Sequence, residues 1–103
     1  MKRVISILLL MVFFSPLHAD QHSIGDRIAE AMAGSHRAES DAARDVYRHP
    51  RETLEFFGLA DGMTVMEIWP GGGWYSDIIA PVMNGNGQYI AVSWDLNVEG
   101  PAY

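Results

Sequence analysis

The 103-residue chain contains no cysteine. Without disulfides a folded form must rely on its apolar core, and an N-terminal lipid anchor through a cysteine is excluded. Positive charge is also scarce, with seven Lys and Arg against 13 Asp and Glu. Such a balance repels phosphates and argues against nucleic acid or an anionic membrane as a partner. No block of like charge stands out, so the acidity reads mostly as solvated surface. Long apolar runs are missing too. Val4 to Phe14, broken only by Ser6, falls short of the roughly 20 residues that cross a bilayer as a helix.

That short run is nevertheless informative. Lys2 and Arg3 precede it, Ser15-Pro16 breaks it, and Leu17-His18-Ala19 supplies a small residue at a cleavage position. This is the layout of a secretory signal, and cleavage after Ala19 is expected to place the protein in the periplasm or outside the cell, with no stable membrane anchor. Loss of the first nineteen residues removes Lys2 and Arg3, leaving 84 residues with five basic side chains against 13 acidic ones. The net charge is then near −8. Residues 20–40 are polar and alanine-rich. Ile24, Ile28 and Met32 recur every four residues, so this stretch reads either as a short amphipathic helix ending before Gly34 or as a linker. Ser40 can cap a following helix that runs to about Arg48.

The segment HPRETLEFFGL carries helix punctuation at both ends. Pro50 suits a first helical position, Gly58 a left-handed C-terminal cap, and Leu59 can fold back on the last turn. Leu54 and Phe57 lie three apart on one helix face, with Phe56 adjoining. His49 is read as a ligand or, more often for such a position, as a residue starting or packing the helix. Asp61-Gly62 then marks a turn, and Thr64 to Ile68 reads as a short buried strand. Ile78, Ile79 and Val82 recur at helical spacing, with Pro81 bending or shortening their helix. After the NGNG turn, QYIAVSW reads as a second strand ending at Asp95. The order strand, glycine loop, helix, turn, strand is a βαβ unit with parallel strands.

Between strand and helix lies EIWPGGGWYSD. A glycine loop before a helix N-terminus lets a ligand approach bare backbone and free N–H groups. Glu67 late in the first strand and Asp95 ending the second complete the layout, since an acid there can accept hydrogen bonds from ribose hydroxyls. A Walker phosphate loop is excluded because residues 71–76 hold no lysine. The dinucleotide pattern G-x-G-x-x-G meets Gly71 and Gly73 but fails at Ser76.

The string VMEIWPGGG resembles the first motif of Rossmann-like S-adenosylmethionine-dependent methyltransferases. RDVYRHPRETLEFFGLADGMTVMEIWPGGGWYSDIIAP is similar to the opening of a group of exported or predicted members. The likeness spans about Arg44 to Asp95. It implies S-adenosyl-L-methionine as cofactor, with Glu67 orienting the loop and the methionine end. Gly71, Gly72 and Gly73 would line the cofactor, and Asp95 would hold the ribose. The general pattern has glycine where Trp69 stands, so this indole either reshapes the pocket or packs beside it. Trp69, Trp74 and Tyr75 are read either as packing or as flanks for adenine or the sulfonium, where an aromatic face suits a cation.

The expected fold is therefore α/β: residues 41–103 form the N-terminal part of a doubly wound Rossmann-like methyltransferase fold, helices and then one βαβ unit, with an incomplete sheet. Later strands would carry the methyl acceptor contacts and any catalytic residues, so the chain is expected to be a fragment, inactive alone. No metal site is expected. The alternative is a small exported nucleotide-binding or degenerate non-enzymatic interaction module. Export sits awkwardly with the enzyme, because S-adenosylmethionine is made where ATP is available.

Overall fold

A computed structural model describes residues 22–94. The expected signal at 1–19 and Asp95 lie outside the described residues.

The first helix, α1 (Ile24–Met32), forms where helix or linker was open. Ser23 closes it with a reciprocal cap: its hydroxyl accepts the Asp26 N–H at 3.2 Å, while the Asp26 carboxylate accepts the Ser23 N–H at 3.3 Å. The Ser23 hydroxyl also donates to that carboxylate at 2.7 Å, and this bond, helped by the one from the Ser23 N–H, holds the Asp26 carboxyl below its ordinary value. Ile28 is fully buried, so the Ile24/Ile28/Met32 stripe is a core face.

The expected single helix from Ser40 to Arg48 is instead two short ones, α2 (Glu39–Ala42) and α3 (Asp45–Arg48), and Ala38, not Ser40, occupies the first cap. Tertiary contacts explain the break. In a continuous helix the Asp41 carbonyl would accept the N–H of Asp45. Here it accepts the Arg44 N–H at 3.1 Å and the Trp74 indole N–H at 2.9 Å. Asp45 turns toward Arg37, whose guanidinium it grips with both carboxylate oxygens at 2.6 and 2.8 Å.

α4 (Pro50–Phe56) keeps its predicted punctuation. Pro50 is at the start, and Gly58 takes φ 75° beyond the end. The Gly58 N–H reaches the Glu55 carbonyl and the Leu59 N–H the Leu54 carbonyl, each at 3.0 Å. This paired closure brings Leu59 beside Leu54, and both are buried. Phe57 does not join them. With Leu59 folded back on the helix end, Phe56 and Phe57 both stay exposed, edge to face at 5.6 Å.

β1 (Thr64–Ile68) and β2 (Gln88–Val92) pair in parallel, from Thr64 opposite Gln88 to Ile68 opposite Val92. α5 (Ser76–Met83) connects them, giving the expected βαβ order and a two-stranded sheet among the described residues. β1 is not the buried strand expected. Its exposure alternates: Val65 and Glu67 are half-buried, while Met66 and Ile68 are open. Among the described residues, helices cover one sheet face only.

α5 supplies the centre of the core with Ile78, Ile79, Val82 and Met83, packed with Ile28, Leu54, Leu59 and Trp74. Pro81 lies inside the helix and cannot donate to the Asp77 carbonyl one turn earlier. The His36 ring supplies the missing proton, with Nε2 at 2.7 Å from that oxygen. That carbonyl is thus satisfied from the turn after α1.

Candidate functional site

The carboxyl ends of β1 and β2 lie side by side, and the Trp69 N–H extends their pairing by reaching the Val92 carbonyl at 2.8 Å. In open α/β sheets this edge is where ligands bind. The glycine loop departs from it, and residues 93–94 leave β2 beside it.

Trp69 has φ 56°, a left-handed backbone that a bulky side chain rarely adopts. The chain thus carries an indole on a glycine-like backbone conformation just ahead of the glycines. Gly71 and Gly73 follow at φ 59° and 87°. A methyl group built on Gly71 or Gly72 would meet nothing within 4 Å. The loop backbone therefore faces open space among the described residues, and no close approach there demands these glycines.

The loop's N–H groups are only partly free. Gly73 donates to the Pro70 carbonyl at 3.0 Å and Asp77 to the Gly73 carbonyl at 2.9 Å. The helical turn thus begins inside the glycines, and the expected array of free amides at the α5 start is reduced. The Gly71 and Gly72 amides donate to no backbone carbonyl among the described residues.

Glu67 holds the loop at its base. Its Oε2 accepts the Ser76 hydroxyl at 2.8 Å and the Tyr89 hydroxyl at 2.6 Å. The two hydroxyl oxygens are themselves 2.8 Å apart. Both protons can go to one carboxylate oxygen, which ties the end of β1, the first residue of α5 and the start of β2 into one unit. Burial, reinforced by the bond to Glu67, pushes the Tyr89 phenol above its ordinary value and keeps it a donor. Ser76 is the residue that breaks the dinucleotide pattern, and its hydroxyl is what that departure supplies. Tyr89 was not legible as its partner, because a tyrosine in an apolar strand carries no local mark of a polar role.

The three aromatics of the loop part company. Trp74 is 6% exposed and belongs to the core. Its indole N–H is spent on Asp41, and the Arg48 guanidinium lies 4.3 Å from its ring centroid. Tyr75 meets it edge on at 4.7 Å. Trp69 is 62% exposed and stacks on Trp94, itself 63% exposed, with centroids 5.0 Å apart and planes 24° off parallel. Trp69, Gly71, Ser93 and Trp94 line an open hollow of about 550 Å³, a size within the range of small-molecule sites.

The structure brings Glu67, Gly71, Gly72 and Gly73 to one corner, and Asp95 lies just beyond the described residues. His49, at φ 45°, joins α3 to α4 as an exposed helix-starting residue. No group of three or more metal-ligating side chains occurs among the described residues. Comparison with known proteins finds no matching family model, curated protein or solved structure.

Proposed function

We propose that the chain carries the cofactor corner of an exported S-adenosylmethionine-dependent methyltransferase of the Rossmann-like kind. One observation carries this reading most: at the carboxyl edge of a parallel βαβ unit, a left-handed Trp69 leads into glycines whose backbone faces open space. In this reading Gly71 to Gly73 line the cofactor. Glu67 holds the loop through Ser76 and offers its second oxygen toward the methionine end, and Asp95 takes the ribose hydroxyls. The methyl acceptor is contacted by groups outside this corner. Among the described residues no helix is long and apolar enough to cross a membrane. Export rests on the leader at 1–19, and mass spectrometry of protein from its native host should find a mature terminus near Asp20.

Calorimetric titration with S-adenosylmethionine, and separately with NAD, tests the cofactor. Gly72→Val is the cleanest variant, because Gly72 lacks the positive φ of its neighbours and a side chain there meets nothing among the described residues. It should leave the fold intact and abolish binding. Asp95→Ala should weaken binding by about ten- to a hundredfold, the worth of hydrogen bonds to a charged acceptor at roughly 1.5–3 kcal/mol. Heat with NAD alone, or unchanged affinity in Gly72→Val, overturns the assignment. The second reading, a small exported interaction module without catalysis, has the open apolar sheet face at Met66 and Ile68 in its favour. Silence with both ligands would select it.

A further inference from the structure

Two exposed indoles stacked on each other at a sheet edge are an unusual use of tryptophan. Most of the surface of Trp69 and Trp94 faces solvent, so core packing does not account for them. Trp69 also holds a backbone conformation that is strained for a non-glycine residue and that tends to persist where a site uses it. Its N–H bond to Val92 fixes that conformation, while Trp94 follows two residues after Val92 on the neighbouring strand. The stack therefore joins both strand ends, one indole from each. With centroids at 5.0 Å the pair leaves no room for a third ring between them. Their outer faces and the hollow beside Gly71 and Ser93 remain available.

We infer that Trp69 and Trp94 form an aromatic platform for a flat, positively charged heteroaromatic ring, such as a pyridinium-type ligand. Indole presents the strongest π-face of any side chain to a cation. Trp74, the third indole, already faces the Arg48 guanidinium, whereas neither Trp69 nor Trp94 lies against a cationic side chain among the described residues. The chain's excess of acidic over basic groups favours a cation in the same direction. A planar ring matches a surface made of two nearly parallel planes, and the adjacent bare backbone at Gly71 gives room for a substituent. This site is separate in chemistry from the proposed cofactor: it needs neither the methionine group nor the ribose.

Tryptophan fluorescence of the 103-residue chain at low micromolar concentration, titrated with N-methylpyridinium and with neutral pyridine at high pH, tests the platform. The expected result is saturable quenching of the exposed indoles by the cation with a dissociation constant on the order of 0.1–1 mM. The neutral ring should bind about tenfold more weakly, and a charge-transfer absorption band should accompany the cation. Trp69→Gly is the decisive variant, because glycine accepts φ 56° and the loop is kept while the platform is lost. Trp94→Ala is the second, and each should weaken the cation by about tenfold or more. Linear, non-saturating quenching, or equal quenching in both variants, overturns the inference. So does burial of these indoles by raised protein concentration alone, with dimers seen by ultracentrifugation, because the stack would then belong to a second copy. Cation binding without S-adenosylmethionine binding would leave the platform standing and remove the methyltransferase reading, and the reverse result would do the opposite.

Discussion

The two faces of the sheet have been treated very differently. On one face Val65 and Tyr89 pack against the core that α1, α4 and α5 build around Ile28 and Ile78, and Glu67 gathers hydroxyls from the neighbouring elements. On the other face Met66 and Ile68 stand 58% and 68% exposed, with Val92 beside them. Composition does not explain this, since Glu67 and Tyr89 lie on the covered face and the open face is the more apolar. Covering elements do. A parallel sheet is stable with both faces buried, so the covered side behaves as a finished core and the open side as a surface that still has apolar area to lose to a partner. Replacements on the two sides should therefore differ in kind.

The largest effect is expected on the helix side, at the ion pair between Arg37, in the stretch after α1, and Asp45, the first residue of α3. Asp45→Ala would leave the Arg37 guanidinium buried without its carboxylate, at a cost of about 3–5 kcal/mol. Chemical denaturation should show a shifted midpoint, and a shift no larger than that of an exposed acid such as Glu52→Ala would mean the pair is solvated. Ile78→Ala comes next. Its side chain is fully buried, and the loss should be about 2–5 kcal/mol. If Ile78→Ala and Ile68→Ala cost the same, the distinction between the faces collapses.

Tyr89→Phe probes the boundary, removing one hydroxyl from Glu67 at about 1 kcal/mol. Its pH dependence has a definite sign. The folded state raises the phenol above its ordinary value of 10.0, chiefly by burial, so it binds that proton more tightly than the unfolded chain does. The contribution is complete below the ordinary value and is lost as the pH climbs through the raised one. Wild-type protein should therefore lose more stability than Tyr89→Phe above pH 10, measured by urea unfolding across that range. Equal slopes would place Tyr89 in ordinary solvent.

The smallest effect on stability belongs to the open face. Ile68→Lys should change the unfolding free energy by no more than about 0.5 kcal/mol. It should instead reduce self-association, because a lysine on an exposed strand discourages pairing with another chain. Sedimentation across a concentration series reads this directly, and undiminished association would locate the sticky surface elsewhere, for example at Phe56 and Phe57.

Local punctuation was legible from the residues alone. Pro50, Gly58 and Leu59 act within one helix end, the four-residue stripe of α1 needs only helical geometry, and the βαβ order follows from changes of period and glycine placement. The glycine loop and Glu67 could likewise be picked out as a corner, because strand, loop and helix are contiguous in the chain. Tertiary structure decided the rest. The break between α2 and α3 depends on an indole 33 positions away, and the Asp77 carbonyl that Pro81 leaves without an N–H is met by a histidine 41 positions before it. Tyr89 became a partner of Glu67, and Trp69 a partner of Trp94, only when two strands 24 positions apart came into register. A residue's pattern tells which conformation its own backbone favours. Which of its atoms finds a partner, and which face of a strand stays bare, is set by neighbours that the chain must fold to meet.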